Sequence, residues 1–343
     1  MPEIKPNWAL LGGLRFVLAL FVALLHLSES LGDGTVQYYI AFSGATCVAV
    51  FLIISGFCMA HSFGREREGF YRRRFWRIWP TYALATIAGL IPFAIWGHHI
   101  ALSFTQNVNA PSFAEIVAFL TCLPTPLRGA SPLNASLWTV GVECVFYALA
   151  PALAILRPRY LVPLILASAA VQFFETPLEG SWLITDGRVF WSFGLGWLLY
   201  TNWKSRPTRI FALILPLIVV IPPFFQGEYL GPALSLTAVG LILNMEKIQF
   251  SPRTGKFLLY LGDLSFPLYA VHFVIGWMIA LCCPSVLVLQ PGLVIWLCLA
   301  VAALWLHCID RPLRRFGREP IFPRRPLPEP ALSEPGVLAE AAA

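Results

Sequence analysis

Arg15, His26 and Glu143 lie within apolar stretches, and arginines gather at Arg72, Arg73, Arg74 and Arg77. These are the groups on which chemistry could rest. Histidine takes up and returns a proton near neutral pH, and a carboxylate can orient its ring and stabilise its charged form. Arginine keeps its proton, so it suits stabilisation of an anion or a carbonyl oxygen. Arg15 and His26 are eleven residues apart, which is three helical turns. That spacing puts them on one helix face at depths about 16 Å apart. Glu143 sits about 10 Å into an apolar run that starts at Ser136, at a depth between the other two. Together they could line one polar path through an apolar layer, with all three as catalytic candidates. Each also has a structural alternative: Arg15 can reach back to an interface, and His26 can be a hydrogen-bonded residue near a span end.

Arg74 and Arg77 stand at i, i+3 and share a helix face if the following span extends backward over them. Two guanidiniums so placed form a clamp for a phosphorylated ligand, with Arg72 and Arg73 beside them. The same basic run also satisfies the charge bias of membrane-protein loops, with anionic lipid as its partner.

The elements that position these residues follow from composition. Of 343 residues, 58% are hydrophobic and 12% charged, about half the charged share of a soluble domain. Mean hydropathy is +0.71. Ten apolar runs have the character of spans: 10–27, 39–61, 78–96, 136–156, 160–174, 189–203, 210–225, 230–244, 264–283 and 285–308. A membrane span needs about 20 such residues, and continuous rather than alternating apolarity argues for helices over a barrel. All but three of the 24 basic residues, namely Arg15, Arg128 and Arg188, fall in alternate loops or the two ends. This predicts an all-α polytopic integral membrane protein of about ten transmembrane helices, N-in and C-in.

The net charge of +6 is then topological, and no nucleic-acid partner is expected. The reading divides the chain into a membrane-embedded domain, 1–316, and a Pro-rich disordered cytoplasmic tail, 317–343. The eight cysteines include no CxxC pair and lie mostly in apolar runs, so packing is expected and a metal site is not. The longest outer loop, 97–135, contains an apolar stretch, 113–123, that either lies in the interface or re-enters the membrane.

Several separated motifs resemble the acyltransferase 3 family of bacterial polytopic membrane O-acyltransferases. They are Gly13-Leu14-Arg15 with His26, the segment from Phe51 to Phe57, the segment from Arg72 to Pro80, and Ser136 through Glu143 with Phe146-Tyr147. Leu261-Gly262, Ser265, Leu268-Tyr269 and His272 follow, and Asp310-Arg311-Pro312 closes the series, with Asp310 where many members have glutamate. The resemblance spans residues 10–316. It implies a multi-pass protein of the bacterial inner membrane whose partners are the bilayer, acyl-CoA as co-substrate, and a glycan or lipid-linked glycan acceptor such as exopolysaccharide or O-antigen.

Under that resemblance an acyl group, commonly acetyl, passes from cytoplasmic acyl-CoA to an extracytoplasmic hydroxyl. His26, Glu143 and Arg15 are then catalytic, and Arg72, Arg73, Arg74 and Arg77 bind the CoA phosphates. Ser136, Trp138, Tyr269 and His272 belong to the substrate-binding set. Glu143 is expected to support His26, through Trp138 or water. His272, eight residues after Leu264, is placed about 12 Å from the cytoplasmic end of its span, either as a rival base or against the donor arm. Direct transfer is the leading route, with an acyl-enzyme on Ser55 or Cys144 as the other. A transporter or flippase, or a non-catalytic subunit of a polysaccharide export system, is the alternative function.

Overall fold

The computed structural model describes residues 4–30, 44–101, 107–122, 133–171, 173, 182–225, 231–283, 285–286 and 291–317. The described residues of the ten apolar runs are mostly helical. In order the helices are α1 Trp8–Ser30, α2 Gly44–Arg65, α3 Phe70–Ala88 and the short α4 Ile91–Trp96. A hairpin of β1 His99–Ala101 and β2 Asn107–Asn109 comes next, then α5 Phe113–Leu120 and a tight turn Ala135–Leu137 that opens α6 Trp138–Ala148. The remaining helices are α7 Ala150–Ile155, α8 Pro158–Val171, α9 Trp182–Thr201, α10 Arg206–Phe225, α11 Gly231–Leu243, α12 Pro252–Cys282, α13 Pro291–Trp305 and α14 Arg311–Phe316. A π-helical turn, Leu306–Asp310, joins the last two.

Five stretches among the described residues are long and apolar enough to cross a bilayer: Trp8–Leu27, Gly44–Arg65, Phe70–Trp96, Pro252–Cys282 and Gly292–Phe316. The apolar helices Ala135–Ala148, Pro158–Val171 and Gly231–Leu243 are shorter, and the fourth apolar run is divided at Leu149. Pro151 there lacks an amide hydrogen and sits in the first turn of α7, as a proline does where a new helix begins. Of the tail expected at 317–343, residues 318–343 lie outside the described residues.

Two helix pairs pack backbone to backbone. A Cβ built on Gly262 of α12 would lie 2.5 Å from Gly12 Cα of α1, and one on Gly196 of α9 would lie 1.9 Å from the Ile53 carbonyl of α2. Only glycine permits such an approach, and small residues at crossings are how helices associate where lipid removes the hydrophobic drive. The α1–α12 crossing lies one turn below Arg15, so it fixes where that guanidinium emerges.

α12 is longer than hydropathy indicates. Ser251 caps it by accepting from the Thr254 amide, and the helix runs 31 residues from Pro252. Its start lies twelve residues before Leu264, so the helix reaches about 18 Å beyond the apolar run at its basic end. His272 lies nine residues, about 13 Å, from Asp263 on this helix.

The stretch 113–123 turns back along α3. Ser112 and Glu115 form a reciprocal cap at the start of α5. At its far end the Leu120 carbonyl accepts from Trp79 Nε1 (2.8 Å) and the Phe119 carbonyl from the Tyr82 hydroxyl (2.6 Å). Trp79 stands at the middle of α3 and Tyr82 in its second half, and Phe119 joins Phe93, Ile100 and Trp277 in one apolar cluster. The stretch is thus held against α3 by two bonds to its carbonyls.

Candidate active site

Four helices turn the same kind of face inward at the basic end. α1 contributes Trp8, Leu11, Gly12 and Arg15; α2 contributes Cys58, His61, Ser62 and Arg65. Both sets follow i, i+3, i+4, i+7, the spacing of one helical face. With Arg73, Arg74 and Arg77 of α3 and Gly262 and Asp263 of α12, they enclose a vestibule of about 410 Å³. Five arginines meet two carboxylates there, Glu66 and Asp263.

The vestibule adjoins a tighter cavity of about 100 Å³, and Arg15, Arg74 and Arg77 line both. The cavity's other walls are Phe51 and Ser55 of α2, Thr139, Glu143 and Tyr147 of α6, and Ser265 and Tyr269 of α12. Ser55 donates its hydroxyl to Glu143 Oε1. Arg15 is held electrostatically by the same carboxylate, and Tyr147 adjoins both Glu143 and Ser55. Arg77 feels the like charges of Arg314, Arg15 and Arg74, so the junction of the two hollows is a concentrated positive field. Arg74 rests on the rings of Phe70 and Tyr147, 5.6 and 5.7 Å from their centroids, which fixes the guanidinium without neutralising it.

The four arginines of the α3 start are thus not equivalent. Arg73 is engaged by Glu66 (3.3 Å) and donates to the Glu66 and Glu68 carbonyls, whereas Arg72 lines neither hollow. Asp310 is buried at the end of the π-helical turn, where it accepts from Thr81 (3.1 Å) and pairs with Arg314 (2.5 Å). Arg314 also reaches Asp263 (2.9 Å), so this network ties α3, α12 and the last helix together behind Arg77.

His26 stands apart from the cavity lining. Its Nδ1 is 2.9 Å from His272 Nε2, and the two rings are nearly parallel, at 11°. The expected support from Glu143 is replaced in the structure by this histidine contact, because α12 carries His272 to the depth of His26. The Tyr269 ring, which lines the cavity, lies 5.8 Å from the His272 ring. The cavity's far wall therefore abuts the histidine pair. The Tyr269 hydroxyl donates to the Ser136 carbonyl (2.7 Å) and shares a bond with Thr139 (2.8 Å). Ser136 is buried and donates to Asn134, which in turn bonds the Ala270 carbonyl, so Ser136 fastens the start of α6 to α12. Trp138 packs half-buried against the core.

The profile of the acyltransferase domain family matches residues 8–309, nearly all of this helical region. The chain belongs to the acyltransferase 3 family. It is similar to "Acyltransferase MdmB" of Streptomyces mycarofaciens, at 25% identity over 80% of each chain. It is also similar to "Nodulation protein 10" of Rhizobium leguminosarum bv. viciae, at 29% identity over 54% of this chain and 56% of that protein. A third relative, "Protein 2 in picA locus" of Rhizobium radiobacter, is 31% identical over 43% of this chain and 83% of its own length. No solved structure matches the chain. The protein is a multi-pass membrane acyltransferase.

Within this acyltransferase, Trp8, His61, Arg65 and Asp263 join the site without having been singled out by motif. The repeated polar face of α2 at Cys58, His61, Ser62 and Arg65 is the sequence signal that marks the vestibule wall.

Proposed function

We propose that this acyltransferase transfers an acyl group, acetyl being the simplest, from cytoplasmic acyl-CoA to a hydroxyl of an extracytoplasmic glycan, such as exopolysaccharide or O-antigen. In this reading the chain crosses the bacterial inner membrane ten times with both ends inside, so that the vestibule opens to the cytoplasm. The observation that carries the proposal is the continuity of the vestibule and the cavity through Arg15, Arg74 and Arg77.

Arg74 and Arg77 bind the phosphates of CoA, for which guanidiniums are suited by charge and fork geometry. Arg65 and Arg73 add to the field that draws the anion in. The pantetheine arm, uncharged, then threads past Arg15 toward Tyr269 and the histidine pair. Arg15, held by Glu143, stabilises the oxyanion that forms on the thioester carbonyl. His26 takes the proton of the acceptor hydroxyl as its oxygen bonds to the carbonyl carbon. Collapse of the adduct breaks the C–S bond, and the CoA thiolate leaves and takes up a proton. Ser55 is spoken for by Glu143, which favours direct transfer over an acyl-serine intermediate.

Deleting the gene and comparing masses of envelope and secreted glycans tests the reading. A lost acyl increment, restored by the wild-type chain and not by His26→Ala at equal membrane level, is the expected result. Unchanged glycans overturn the glycan assignment, and full activity of His26→Ala overturns the base.

A further inference from the structure

His272 is fully buried, and its two ring nitrogens are both engaged. Nδ1 faces the Leu268 carbonyl at 3.2 Å, and Nε2 faces His26 Nδ1 at 2.9 Å. A carbonyl oxygen can only accept, so the proton of neutral His272 resides on Nδ1. Nε2 then bears the lone pair and must accept. The only proton that can fill this contact is the one on His26 Nδ1, which leaves the lone pair of His26 on Nε2. The helical carbonyl of α12 therefore dictates, through two rings, which nitrogen of His26 is basic.

We propose that His272 is a positioning residue that fixes the tautomer of His26, so that His26 Nε2 takes the proton of the acceptor hydroxyl. This rests on the assignment of His26 as base under the proposed function. The near-parallel rings, with the Phe273 ring edge-on to His26 at 5.6 Å, hold the pair against rotation. The bond from His26 Nδ1–H is kept when Nε2 gains its proton, so the imidazolium forms without rearrangement. A neutral acceptor does this without placing a carboxylate where burial would be costly. Glu143 is then free to serve Arg15 and Ser55, its partners in the cavity. If the acceptor nitrogen of His272 is removed, the His26 proton can settle on Nε2, and the base is blocked.

The test uses membrane vesicles containing the full-length chain, with radiolabelled acetyl-CoA as the varied substrate and endogenous glycan as acceptor. His272→Gln keeps an acceptor oxygen near the position of Nε2. His272→Met fills the space without one, and the shorter polar side chain of His272→Asn stops short of His26. The expected result is a maximal rate within about tenfold of wild type for Gln and about 10²–10⁴-fold lower for Met and Asn. The KM for acetyl-CoA stays within about threefold throughout, since the donor's phosphates are bound elsewhere. Should Met fail to accumulate, Asn against Gln makes the same comparison. A rate within threefold of wild type for Met or Asn overturns the proposal, as does a Gln variant as slow as these, or a loss carried by KM. His26→Ala separates the two levels. Activity in that variant overturns the base itself, whereas an inactive His26→Ala beside an active His272→Met overturns only the role of His272.

Discussion

Ser55 of α2 gives its hydroxyl to the carboxylate of Glu143 on α6, and this bond ties together two walls of the cavity that Arg15 also lines. The carboxylate thus has two neutral neighbours, Ser55 and Tyr147, and acts on Arg15 through its charge. Glu143→Gln keeps an oxygen for Ser55 but removes the charge that offsets Arg15. The expected outcome is a chain that still accumulates in membranes with its transfer rate reduced at least about tenfold, measured at saturating acetyl-CoA. Ser55→Ala leaves the charge pair intact, and the loss of one hydrogen bond to a charged group costs about 1.5–3 kcal/mol. A fall in thermal midpoint, with label from acetyl-CoA still reaching glycan, is the expected reading.

Arg74 and Arg77 border both hollows, and Arg72 borders neither. Binding of acetyl-CoA should therefore weaken about ten- to a hundredfold for Arg74→Ala or Arg77→Ala, the worth of one charge-assisted contact. Arg72→Ala should change it by less than about threefold. Titration calorimetry on protein in nanodiscs checks this, and added salt should weaken wild-type binding more than that of Arg77→Ala.

Gly262 has no room for a methyl group, whereas a Cβ on Gly255 of the same helix meets nothing within 4 Å. Gly262→Ala should force α1 and α12 apart at a cost of about 1–3 kcal/mol, in the range of overpacked interiors. Gly255→Ala should leave stability equal or slightly raised, as expected for alanine in a helix interior. Thermal unfolding of the two variants in detergent makes the comparison, and equal midpoints would contradict the packing described.

Helix α5 hangs on two side-chain donors of α3. Tyr82→Phe leaves the buried Phe119 carbonyl without its partner, at about 1–3 kcal/mol, and Trp79→Phe removes the bond to Leu120. Faster amide exchange confined to residues 113–122 in the double variant is the expected result by mass spectrometry. Exchange spread over α3 as well would show that the two bonds hold more than this segment.

Much of the site was legible because chemistry and depth are both written in the order of residues. Arg15 and His26 share a face by spacing alone, and Glu143 and the Arg74–Arg77 pair converge with Arg15 as their positions along the spans require. What could not be read was the partner of His26. Hydropathy starts the ninth span at Leu264, since Arg253, Lys256 and Asp263 in the preceding three turns look like loop residues. They lie on a helix that continues past the apolar run, with Asp263 on the vestibule wall, and a contact between side chains 246 residues apart is not written in the spacing of either helix. The division at Leu149 and the vestibule faces of α1 and α2 escaped for a related reason. Average apolarity conceals both a break in the backbone and a narrow polar stripe.

α12 carries Asp263, which grips Arg314 at the basic end, and nine residues further His272, which grips His26. One strut thus carries both contacts across about 13 Å. If it slid or turned by a single residue, the ion-pair anchor and the imidazole contact would be lost together. The cation network and the imidazole pair are linked mechanically through this helix, and neither can be loosened without the other registering it.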